Sequence, residues 1–230
     1  MRIKSHLIYS SLIFLTLIPV ETSAAPAYGT KLPGQWQFQI GAQSYTVFER
    51  KLYRDQGEIR SQQQFLNISL GFTDWFTLDL KGGSGDIEQK PDIGNAIKYE
   101  TYVGGGYGFR LKFLDTEKTD AVFGFQHISI HPVTQIIDGV KHKAVLDDWN
   151  WSFLVGHRLG MVEPYAGVRW SRMDYIHWVD NERKRVKSDL DRSTGAILGF
   201  NIFLKEDFWL NVEGNAFDTE ALAAGFNYQF

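Results

Sequence analysis

Leu222-Ala223-Ala224-Gly225-Phe226-Asn227-Tyr228-Gln229-Phe230 are the last nine residues of the 230-residue sequence, and they alternate strictly. On an extended strand successive side chains point to opposite faces. Leu222, Ala224, Phe226, Tyr228 and Phe230 therefore share one face, and Ala223, Gly225, Asn227 and Gln229 share the other. The rhythm recurs upstream. Leu66, Ile68, Leu70 and Phe72 oppose Phe65, Asn67, Ser69 and Gly71; Phe76, Leu78 and Leu80 oppose Thr77, Asp79 and Lys81. Phe208, Leu210 and Val212 oppose Trp209, Asn211 and Glu213, and Ala196, Leu198, Phe200, Ile202 and Leu204 oppose Ile197, Gly199, Asn201 and Phe203. Segments of this kind carry one greasy and one wetter face.

Extending the pattern gives ten strands, at 35–50, 60–72, 76–84, 97–112, 120–131, 147–159, 164–177, 191–204, 208–216 and 220–230. Most exceed the five or six residues usual in soluble sheets, and several reach the 9–11 tilted residues that cross a bilayer. The connections alternate between short ones, such as Thr73-Asp74-Trp75, and long charged ones at 51–59, 85–96, 132–146 and 178–190. Membrane barrels show this asymmetry of tight turns and long external loops. The fold expected is all-β, an antiparallel up-and-down transmembrane β-barrel of about ten strands, with eight or twelve possible. This order of turns and loops places both termini in the periplasm, which requires an even strand count. Aromatic rings gather near the strand ends, as in interfacial girdles: Trp36, Phe38, Phe72, Trp75 and Phe76 towards one rim, Trp149, Trp151, Trp170, Tyr175 and Trp178 towards the other.

The beginning of the chain gives the route. Arg2 and Lys4 precede a mostly apolar stretch from Leu7 to Val20, and Thr22-Ser23-Ala24 offers small residues for cleavage. Residues 1–24 read as a signal peptide and 25–230 as the barrel. The apolar stretch is too short for a spanning helix, which needs about 20 residues. There is no cysteine, which excludes disulfides and thiolate metal sites, and a net charge of -3 gives no reason to expect a nucleic-acid partner.

The segment Phe226-Asn227-Tyr228-Gln229-Phe230 resembles the terminal strand of bacterial outer-membrane β-barrel proteins, and Gly71-Phe72-Thr73-Asp74-Trp75-Phe76 is similar to a first periplasmic turn of such barrels. The likeness is to small barrels of the OmpA membrane domain, opacity and OmpX-like class. It implies that Phe226, Tyr228 and Phe230 serve as a sorting signal. It also implies periplasmic chaperones and the barrel assembly machinery as partners, and the cell outer membrane as destination. It implies no activity, because the fold hosts many.

The face turned from lipid carries Asp79, Lys81, Glu100, Arg110, Asp148, Arg158, Asp191 and Glu213, with Gln37, Gln39, Asn150, Asn201, Asn211 and Asn227. These charges nearly balance, so ion pairs across a lumen are expected. Ten strands lie near the size at which side chains fill a barrel. A structural barrel or a narrow porin-like passage for small solutes follows, rather than a wide pore. Gly104-Gly105-Gly106-Tyr107-Gly108 lacks the Lys-Ser/Thr of a phosphate loop and reads as a thinned strand that leaves room for large side chains opposite.

One pair of residues has the chemistry of a hydrolase. His127 and Ser129 share a strand face, and a His beside a Ser can activate its hydroxyl. The His-x-Ser resembles that of outer-membrane lipid A deacylases. Where that family continues Asn-Ala-Gly, this chain has Ile130-His131-Pro132, and its nearest acids are Asp138, Asp147 and Asp148. His127 and His131 stand roughly 13 Å apart along a strand, which excludes a shared metal. The expectation is a protein without enzymatic activity, cofactor or metal. A Ser129/His127 deacylase-like hydrolase and a soluble periplasmic barrel for an apolar ligand are the alternatives. The external loop basic residues Arg183, Lys184, Arg185 and Lys187 are candidates for contact with lipopolysaccharide phosphates.

Overall fold

The structure is a computed structural model that describes residues 28–54 and 56–230. The signal peptide expected at 1–24 lies outside the described residues. Ten long strands form the wall: β1 (Phe38–Lys51), β2 (Glu58–Thr73), β3 (Phe76–Lys90), β4 (Ile97–Asp115), β5 (Thr119–His131), β7 (Val140–His157), β8 (Val162–Val179), β10 (Thr194–Phe203), β11 (Phe208–Ala216) and β12 (Glu220–Gln229). Each is antiparallel to its neighbours, and β1 pairs with β12 from Gln39↔Gln229 to Val47↔Ala221, which closes the sheet. Closure leaves no wall strand with an open edge, so the backbone amides are satisfied within the wall.

Two short strands, β6 (Gln135–Ile137) and β9 (Glu182–Lys187), stand on the rim away from the chain ends. β6 pairs with the start of β7, and β9 with the end of β8. The β7–β8 ladder runs from His142↔Val179 to Gly156↔Tyr165 and projects beyond that rim. Sequence reading places the start of this strand at 147 and treats 132–146 and 178–190 as loops. The structure differs because the Lys-His-Lys run of 141–143 belongs to a strand with two polar faces, where alternation of hydrophobicity is invisible. The turn chemistry marks it instead. Asp138 (φ 51°) and Gly139 (φ 79°) form a two-residue hairpin turn between β6 and β7, as Asp-Gly does when both central residues are left-handed.

Side chains divide as the period-two rule requires. Outward on β12 stand Leu222, Ala224, Phe226 and Tyr228; inward stand Ala221, Ala223 and Asn227. The outward belt between the rims is apolar: Ile40, Leu66, Ile68, Leu78, Leu80, Phe153, Val168, Leu198 and Phe200 are all exposed there. Rings cluster at the rim holding the chain ends, where Trp36, Phe72, Trp75 and Phe76 lie ring to ring and Phe38 stacks on Phe230 at 6.2 Å. Tyr175, expected in the outer girdle, faces inward and is buried, with its hydroxyl 3.3 Å from that of Tyr99.

Candidate functional site

The lumen is occupied at three levels. At the chain-end rim, residues 28–32 run inside the wall. The Tyr28 ring lies under the Lys81 ammonium at 3.9 Å and the Arg110 guanidinium at 5.1 Å. Arg110 also donates to the Lys31 carbonyl at 2.8 Å, and the Thr30 hydroxyl donates to the Glu163 carboxylate. Arg110 makes a two-pronged contact with Asp79, at 3.0 and 2.8 Å, and Ser69 donates to the same carboxylate at 2.5 Å. Tyr165 donates to Glu213 at 2.9 Å, and Lys81 donates to Gln43 at 2.8 Å. Such forked, charge-assisted bonds fix geometry as well as charge.

The middle level is built on Asp218. Arg50 reaches its Oδ2 at 3.0 Å and Arg169 reaches the same oxygen at 2.8 Å. Arg50 also donates to the hydroxyls of Ser171 and Ser188, at 2.9 Å each. Asp148 is buried in the same lumen, with neither carboxylate oxygen in a hydrogen bond. Asp218 belongs to the short turn between β11 and β12, which folds inward because Gly195 leaves space for it. A Cβ there would lie 1.9 Å from Asp218 Oδ1. Above this level Phe65, Ile87, Ile128, Ile130, Leu146 and Met173 pack with Tyr99 and Tyr175 into an apolar layer inside the far half of the barrel. Gly104 makes room for it, since its Cβ would meet Ile130 Cδ1 at 2.5 Å.

Of the charges expected inside, Asp79, Lys81, Arg110, Asp148 and Glu213 are buried in the lumen. Glu100 is exposed, because Tyr99 takes the inward position of its dipeptide. Asp191 is exposed in a 3-10 turn (Leu190–Arg192) rather than on a strand. Arg158 sits in the turn between β7 and β8, donating to the Gly160 carbonyl at 3.2 Å and covering the Phe203 ring. Four inward charges escape sequence reading: Glu163, Arg169, Arg50 and Asp218. Arg169 was signalled by outward Val168 and Trp170 on either side. Arg50 was not, because the ladder slips between Val47 and Arg50 and reverses the parity. Asp218 lies in a turn, where alternation has no meaning.

His127 and Ser129 lie on the outward face of β5, not in the lumen, since Gln126, Ile128 and Ile130 take the inward positions. Ser129 donates to Asp147 Oδ1 at 2.5 Å and lies 2.9 Å from His131 Nε2; His127 Nε2 is 3.8 Å from the same Asp147 oxygen. The carboxylate is therefore Asp147, which faces Ser129 directly across the β5–β7 ladder. The imidazole at the hydroxyl is that of His131 rather than His127. The order is carboxylate–serine–histidine, with the serine proton already directed to the acid.

Along the outward wall next to this cluster, Arg172 donates to Asp174 at 3.1 and 2.9 Å, and Arg185 pairs with the same carboxylate. Arg183 lies over the outward Trp178 at 5.6 Å, and Lys187 pairs with Asp174 in the β8–β9 register; Lys184 is opposite His177, on the alternate face. Phe226, Tyr228 and Phe230 point outward, the last two stacked at 6.0 Å. Among the described residues no group of His, Asp and Glu is placed to hold a metal ion.

No protein-family model matches the chain, and no curated protein is significantly similar to it in sequence. Solved structures are similar in fold. The β domain of the Bordetella autotransporter BrkA shares 11% identity at a TM-score of 0.47, over 84% of this chain and 99% of that one. The translocator domain of the autotransporter NalP from Neisseria meningitidis shares 12% at 0.45, over 88% and 91%. An outer membrane channel from Pseudomonas putida F1 shares 10% at 0.45, over 90% and 100%. At identities of 10–12% none of these likenesses assigns an activity to this chain.

Proposed function

We propose that this chain is an integral outer-membrane β-barrel of structural role, without enzymatic activity, whose lumen passes no solute and whose working surface is the outward one. The observation that carries this is the lumen filled at three levels: Tyr28 to Leu32 at one end, the Arg50–Asp218–Arg169 cluster in the middle, and the apolar layer around Ile128 and Ile130 beyond it. A narrow passage would have to break buried ion pairs and part a packed core together. The apolar outward belt with rings at its edge supports a bilayer location. The short turns on the chain-end rim support periplasmic termini and an external β6–β9 rim.

Two assays test the reading. The processed protein is expected in the outer-membrane fraction, with heat-modifiable migration on a denaturing gel; protein that stays in solution without detergent would instead favour a soluble carrier. Liposomes carrying the folded barrel are expected not to swell in small sugars or amino acids, and swelling would establish a passage.

A second reading rests on Ser129, whose hydroxyl is held between Asp147 and His131 on the outward face. It makes the chain an acyl-ester hydrolase of lipid A, with Asp147 or a histidine taking the serine proton. Mass spectrometry of lipid A from cells expressing the wild type or Ser129→Ala separates the two. Identical lipid A supports the structural reading, and a lost acyl chain that depends on Ser129 supports the hydrolase.

A further inference from the structure

The outward wall of β7, β8 and β9 differs from the rest of the barrel in charge. Lys143, Arg172, Arg183, Arg185 and Lys187 stand on one face by register, against Asp147 and Asp174. Five cations to two carboxylates is an excess that the wall does not neutralise itself. At the equivalent rim on β2 and β3 the outward charges are Glu58, Arg60, Asp86, Glu88 and Lys90, an acidic balance. Directly beside the cationic wall lies a groove of about 410 Å³, lined by Phe125, Trp149, Trp151, Trp170, Arg172 and Arg185. Its aromatic side is close-packed, with Phe125 and Trp151 centroids 4.4 Å apart.

We propose that this groove is a binding site for a phosphate-bearing lipid of the external leaflet: Arg172 and Arg185 take the phosphate and the ring-lined groove takes an acyl chain. Asp174 acts as the post. It is buried, and it engages Nε and Nη2 of Arg172 and Nη2 of Arg185. Arg172 Nη1, and Nε and Nη1 of Arg185, are left to donate to an added acceptor. Two guanidiniums held on one carboxylate repel each other, and an anion between their free edges relieves that repulsion. Forked donors suit phosphate oxygens, and guanidinium is weakly hydrated enough to work at a lipid surface. Lys143 and Arg183, at 4.9 and 5.6 Å from the Trp178 ring, continue the cationic face towards the headgroups. The lipid supplies what the two halves of the site call for, negative charge above and hydrocarbon below.

The inference rests on the membrane reading above, but its test does not, because it is made in detergent on the folded full chain. Native mass spectrometry with diphosphoryl lipid A, its dephosphorylated form and inorganic phosphate gives three arms. The diphosphoryl form is expected to be retained at least tenfold better than the dephosphorylated one, and excess inorganic phosphate is expected not to displace it. Arg172→Gln with Arg185→Gln should remove that tenfold difference. Heat-modifiable migration checks that this variant folds. If it does not, adding Asp174→Asn removes the carboxylate left without partners, and Arg172→Lys with Arg185→Lys, keeping charge but not the fork, should give an intermediate loss. Equal retention with and without phosphate, or by wild type and arginine variants, would overturn the site. Displacement by inorganic phosphate would overturn the lipid as its occupant.

Discussion

Two clusters in this barrel are built alike, and they differ in what completes them. Inside, Arg50 and Arg169 share Oδ2 of Asp218; outside, Arg172 and Arg185 share Oδ2 of Asp174. The inner arginine and aspartate side chains are 0–1% exposed; outside, Asp174 is also 0% exposed, but Arg172 and Arg185 are 31% and 42% exposed. A charge taken out of water must be matched in place, and the hydroxyls of Ser171, Ser188 and Thr219 add to Asp218 in doing so inside. The outer pair stays partly in contact with solvent and headgroups, so its surplus charge is free to recruit a partner. The same chemistry is a lock on one side of the wall and a docking point on the other.

The comparison breaks most sharply at the shared carboxylates. Asp218→Asn leaves two buried guanidiniums facing one another, and removing one partner of a buried pair costs about 3–5 kcal/mol. Asp174→Asn should cost less, about 1–3 kcal/mol, because its carboxylate is buried but both of its arginines keep contact with solvent. Urea unfolding of the barrel in lipid vesicles measures both. Equal effects would mean that the inner cluster is not the lock described. Gly195→Ala sharpens the point without touching a charge. Its Cβ displaces the Asp218 carboxylate, and overpacking of this kind costs roughly 1–3 kcal/mol in the same assay. Smaller still is Tyr28→Ala. It loosens the chain-end segment and should speed proteolysis within residues 28–34, yet leave solute permeability at background, because the apolar layer around Ile130 is untouched. A permeable Tyr28→Ala barrel would show that the segment is the sole seal.

The wall was legible in the sequence because one physical demand, lipid on one face and a filled lumen on the other, repeats on every strand. All ten strands, and the inward placement of Asp79, Arg110 and Glu213, follow from alternation alone. What alternation cannot see is anything that breaks parity or lacks two unlike faces. Arg50 enters the lumen after a slipped register. Tyr28 and Thr30 occupy it from a segment with no regular structure. Strand β6, Gln135–Ile137, is too short for alternation to show, and β9 is charged on both faces apart from Val186, although Asp138-Gly139 announced the first hairpin. The outward cluster was half legible. The shared face of His127 and Ser129 was in the sequence, but Asp147 meets Ser129 only through the β5–β7 register, which lies 18 positions away along the chain.

The most direct measurement is ionic current through the folded full chain in a planar lipid bilayer. A lumen closed at three levels predicts insertion without discrete conductance steps, in the wild type and in Tyr28→Ala alike. Reproducible steps from the wild-type barrel, at a size set by the salt concentration, would contradict it.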